Sequence, residues 1–150
     1  MLLGLRKITA IELSSTGDRV VTNMGKNIFN TLFAANPIVQ YTRNEIVHSV
    51  YKRTSKIPDG FDAYSIFTHT WRDKDNILNT DFEIYNSLED MKANRNRWTF
   101  CNYNDPGVGY PRDCGQNGFV GHTFFTMPGS GVNHLVVYTK GASFQLFERE

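Results

Sequence analysis

Several absences narrow the reading of this 150-residue chain. No apolar run approaches the roughly 18 residues that a membrane-crossing helix needs. Charge of one sign is missing too: 16 lysines and arginines stand against 15 acids, a net of +1. The chain therefore lacks the electrostatic surplus that draws proteins to nucleic acid or anionic membranes, and neither is expected as a partner. At the amino terminus only Leu2, Leu3 and Leu5 precede Arg6 and Lys7, too few for a secretory segment. The expectation is a cytosolic chain, or one from which a targeting segment has been removed. No Asn-x-Ser/Thr sequon occurs.

Motifs for common chemistries are missing as well. There is no phosphate-binding glycine loop, no serine nucleophile elbow and no HExxH. Asp73, Asp75 and Asn76 begin like a calcium loop, but Ile77 and Leu78 stand where an oxygen ligand and a glycine are required. No cofactor and no metal are expected.

What the chain does have is aromatic side chains, 13% of residues, with 11 Phe and 7 Tyr. Aromatics favour strands and need a deep core or a contact surface. The length suits one compact domain over 1–150 with a sizeable core.

Residues 6–13 alternate as a strand, 14–18 form a turn, and 19–22 return as its partner. Met24, Ile28, Phe29, Leu32 and Phe33 then make a helical stripe that Asn36-Pro37 ends. Thr42 and Glu45 stand at capping-box spacing, which predicts a second helix with Ile46, Val47, Val50 and Tyr51 on its apolar face. Residues 63–71 and 81–86 alternate as strands, and Ser87 with Asp90 caps a short helix. Its basic end, Lys92, Arg95 and Arg97, suits a solvated face. Strands are expected at about 119–127, 132–139 and 142–148, joined as hairpins through 128–131 and 140–141. Helices followed by strands imply an α+β fold, an antiparallel sheet packed with two or three short helices; all-β is the alternative.

The segment 98–118 stands apart. It holds both cysteines, Cys101 and Cys114, with Pro106, Pro111 and four aromatic rings among glycine, asparagine and aspartate. It is too broken for a helix and too aromatic for a solvated linker. A Cys101–Cys114 disulfide would pin it down; two unpaired buried thiols or a reactive Cys114 are the alternatives. A joined pair favours an extracytoplasmic or organellar setting. Asn102, Asn104, Asp105 and Asp113 offer oxygens for a cation, though turns shaped by their side chains suit them better.

Asp113-Cys114, followed by Gly118-Phe119-Val120 and by His134 within Asn133–Tyr138, resembles NlpC/P60 cysteine peptidases, where an Asp-Cys at a helix start precedes a strand histidine. That resemblance implies Cys114 as nucleophile and His134 as its base. It covers only residues 113–138. Gly115-Gln116-Asn117-Gly118 does not make a strong helix, and the interval to His134 is shorter than the family's; no family is assigned on it. His122 and His134, paired around 128–131, would lie three positions out of register and on opposite faces, which argues against a shared metal.

The reading that follows is a non-catalytic binding or structural module. It presents Trp98, Tyr103, Asn104, Tyr110, Arg112 and Asp113 to a protein partner or as a subunit of a larger assembly. A thiol hydrolase at Cys114 and His134 is the alternative, and plugging of one end of the core by the same rings is the structural rival.

Overall fold

The computed structural model describes residues 4–130 and 139–150. Among these, strand β1 (Leu5–Leu13) is followed by β2 (Val20–Asn23), helix α1 (Lys26–Ala35), β3 (Ile38–Arg43) and β4 (Ile46–Arg53). Helix α2 (Ala63–Thr68), β5 (Phe82–Tyr85), α3 (Leu88–Ala93) and β6 (Ala142–Arg149) complete the order. The strands form one sheet, β2-β1-β6-β3-β4-β5, in which every neighbouring pair is antiparallel. The fold is α+β as expected, and the three helices set aside the all-β alternative.

Two elements exchange type relative to the sequence reading. The expected helix around Thr42–Tyr51 is the β3–β4 hairpin. Asn44 and Glu45 turn it with φ of 50° and 68°, the positive pair that a two-residue hairpin loop needs. The β-branched residues flanking that turn suit a sheet, and the Thr42–Glu45 spacing mimics a cap by coincidence. Conversely, the expected strand 63–71 opens with α2. Asp62 caps it, accepting from Ser65 N at 3.1 Å, and Asn30 of α1 accepts from Tyr64 N at 2.8 Å. Ala63, Ile66 and Phe67, at helical spacing, are its buried face.

The C-terminal hairpins are also corrected. Residues 119–127 form no sheet strand. Phe125 pairs instead with the central loop, its N–H donating to Tyr110 O at 2.8 Å and its carbonyl accepting from Gly109 N at 2.6 Å. Met127 N donates to Thr68 O at 3.2 Å. The expected strand 132–139 lies, apart from Thr139, outside the described residues. β6 does form, but it sits mid-sheet between β1 and β3 instead of pairing as a hairpin.

One face of the sheet carries the main core. Ile11, Leu13, Val39, Tyr41, Tyr51, Phe82, Ile84, Phe144 and Leu146 point there, covered by Phe29 and Phe33 of α1, Phe67 of α2, and Trp71, Trp98, Tyr110 and Phe125 from the loops. On the other face α3 covers only the β4–β5 end, where Met91 packs on Val50 and Tyr85. The loop crosses α2 so closely that a Cβ on Gly109 would lie 2.3 Å from Phe67 O and 2.6 Å from Phe125 O. Only glycine fits there.

Candidate functional site

The segment 98–118 closes over the core face, and backbone bonds fix both its ends. Trp98 N donates to Ile84 O at 2.9 Å, which joins the segment to β5. Phe100 and Gly115 exchange hydrogen bonds of 3.2 and 3.0 Å, an isolated bridge that brings Cys101 and Cys114 together. The two cysteines form a disulfide with Cα atoms 4.0 Å apart, and no free thiol remains. Cys114 is fully buried.

The six residues expected on a contact surface divide. Trp98 is buried, its indole N–H donating to Asn86 Oδ1 at 2.9 Å. Tyr110 is fully buried among Tyr41, Tyr51, Phe67, Trp71 and Phe144, and its hydroxyl donates to Ser49 Oγ at 2.9 Å. Burial raises the Tyr110 phenol far above its ordinary pKa. Asp113 is buried beneath Asn102 Nδ2 at 3.2 Å and Arg112 Nε at 3.4 Å. These three expected contact residues are buried in the folded chain, as the core-plugging rival has them.

Tyr103 is half-buried, stacked on Trp71 at 5.7 Å, and its hydroxyl accepts from Leu78 N at 2.9 Å. Burial pushes its pKa up to about 12. Arg112 is half-buried between Asp105, at 2.9 Å, and Asp113. Asn104 alone of the six is exposed, with φ of 73° and its side-chain oxygen accepting from Asp73 N at 3.3 Å. The oxygens of this loop are thus spent on its own turns and ion pairs. No group of three or more metal-ligating side chains occurs among the described residues.

What the loop does turn outward went unnamed in the sequence reading. Phe100 is 36% exposed, Phe119 67% and Val120 42%. The two rings meet edge to face at 6.4 Å. Gly115 lets this patch close, since a Cβ there would meet Gly118 O at 2.1 Å and Val120 Cγ2 at 2.6 Å. Phe119 and Val120 open the stretch 119–127, which the sequence predicts as a strand.

Beneath the loop lies a buried polar link. His48 Nδ1 and Ser49 Oγ are 3.0 Å apart, and the imidazole packs edge-on against Tyr41 and Trp98. Burial, with a smaller contribution from Arg43, lowers the His48 pKa to about 4. Unfolding returns it to about 6.5, so the unfolded chain binds more protons between those values. Stability is expected to fall as pH drops from about 6.5 to about 4 and to level off below. The loss is on the order of 2 kcal/mol after allowing for the partial exposure of the ring. His69, also lowered by burial, acts in the same direction. Urea midpoints across this window should flatten in His48→Gln; an unchanged slope would remove His48 as the source.

Two residues of the basic run are held in ion pairs: Arg95 with Asp90 at 2.7 Å and Arg97 with Glu83 at 2.7 Å. No helix among the described residues is long and apolar enough to cross a membrane. His134 lies outside the described residues, and Cys114, its expected partner in thiol chemistry, is in the bridge. Comparison with protein-family models, with curated proteins and with solved structures finds no match.

Proposed function

We propose that this chain is a non-catalytic binding or structural module whose contact surface is the disulfide-held patch of Phe100, Phe119 and Val120, with exposed Asn102, Asn104 and Asn117 on the same stretch of chain. The observation that carries the reading is Phe119: a large ring 67% exposed, in contact with a second exposed ring, on a segment tied down by a disulfide and a backbone bridge. Fixed aromatic area loses little entropy on binding, which is why such rings anchor interfaces. Adjacent amides supply adaptable hydrogen bonds. The partner is a protein, or neighbouring subunits of a larger assembly. Thiol hydrolysis at Cys114 requires this bridge to open first.

A photo-reactive benzoylphenylalanine in place of Phe119, introduced in the native host, tests the reading, with the same group in place of exposed Ile28 on α1 as control. A discrete protein adduct from position 119, lost when Phe100→Ser is added and not formed from position 28, is expected. Phe100→Ser/Phe119→Ser should leave the unfolding free energy from urea titration within about 0.5 kcal/mol, since both rings are at the surface. Equal adducts from both positions, or none, would defeat the proposal.

A further inference from the structure

The second face of the sheet carries a different kind of surface. Along β6, Ala142, Phe144 and Leu146 enter the core, so Ser143 and Gln145 point to the opposite side. Their cross-strand neighbours are Glu12 and Thr9 on β1, and Thr42 and Gln40 on β3. Away from the β4–β5 end that α3 covers, Ser143, Gln145, Glu12, Thr9 and Thr42 line a hollow of about 660 Å³. That volume lies in the range of small-molecule sites, about 300–1,000 Å³.

The floor is built. Gln145, 5% exposed, donates through Nε2 to Ser143 Oγ at 2.7 Å and Thr42 Oγ1 at 3.2 Å, and accepts from Gln40 Nε2 at 3.0 Å. Both its N–H groups are committed, and they fix the two hydroxyls in place. The end wall is built too. Gly141 N donates to Ser14 O at 2.9 Å, and Asn44 N to Gly141 O at 2.9 Å, so three turns are laced together. Around the rim stand Lys7, Glu12 and Glu45. Among the described residues none of the three is in an ion pair.

We propose that this groove binds a neutral polyhydroxylated ligand, a mono- or disaccharide. Hydroxyls donate and accept, so one sugar can satisfy the carboxylates of Glu12 and Glu45, the ammonium of Lys7 and the hydroxyl floor together. An anion would meet two carboxylates. A flat aromatic ligand would find no ring to stack on among the described lining residues. Site and ligand are independent of the Phe100–Phe119 surface.

The test is titration of the ¹⁵N-labelled full chain with the methyl glycosides of glucose, mannose and galactose, with glycine and inorganic phosphate as comparison probes. At least one glycoside should move the Gln145 side-chain amide and the Thr42 and Ser143 backbone amides in a saturable way. Glu12→Gln and Glu45→Gly should each weaken that binding about tenfold, as loss of a charged hydrogen-bond partner does. Glu45→Gly keeps the fold, because residue 45 has φ of 68°, where glycine is at ease. No groove shift with any glycoside would overturn the proposal. So would tighter binding of glycine or phosphate, or saturation indifferent to both substitutions.

Discussion

Tyr110→Ala is expected to destabilise the protein by about 3–5 kcal/mol, the range for losing a large ring from a packed core. The side chain is fully buried and touches Tyr41 of β3, Tyr51 of β4, Phe67 of α2, Trp71 and Phe144 of β6. Those neighbours come from elements that cannot collapse together into the gap, because β3, β4 and β6 are fixed by their ladders. Tyr110→Phe separates packing from hydrogen bonding. It removes only the bond to Ser49 Oγ, and Ser49 keeps His48 as a neighbour. That substitution should cost about 1 kcal/mol. Urea denaturation of both variants supplies the comparison. Equal losses would mean that the hydroxyl, and not the ring, anchors the loop.

The same residue shows where sequence reading stops. Its rings-and-turns neighbourhood marks 98–118 as ordered, and the spacing of Cys101 and Cys114 marks a crosslink; both are local properties. Which rings face inward depends on Tyr41, Phe67 and Phe144, distant in sequence and brought together only by the sheet. The β1–β2 hairpin, α1, β5 and β6 are legible from their periodicity, and α3 from its Ser87 cap. β3–β4 and α2 were not, since each carries a misleading local signal. The Thr42–Glu45 spacing imitates a capping box, whereas Tyr64, Ile66 and Thr68 imitate strand alternation. Tertiary pairing decided both: β3 is paired on each side, by β4 and β6, and Asn30 of α1 supplies an acceptor to the first turn of α2. The polar groove was half legible. Ser143 and Gln145 alternate with core residues in the sequence, but only the sheet order sets them beside Thr9, Glu12 and Thr42.

Replacing both cysteines by alanine is the other change with a large expected effect, a loss of about 3 kcal/mol for a closed loop of this size. The bridge spans 13 positions, and its stabilisation comes mainly from restricting the unfolded chain. Native contacts should largely survive, because Trp98, Tyr103 and Tyr110 are each held by hydrogen bonds that do not involve sulfur. The double substitution should therefore lower the urea midpoint while faster amide exchange is confined to Phe100 and Gly115, whose mutual bridge sits beside the disulfide. Exchange accelerating across the whole of 98–118 would mean instead that the bridge organises the native loop. An unchanged midpoint would mean that the unfolded chain already keeps these ends together. The first result also bears on recognition: a loop that stays folded without its crosslink would keep Phe100 and Phe119 in place, and the crosslink would then serve endurance more than shape.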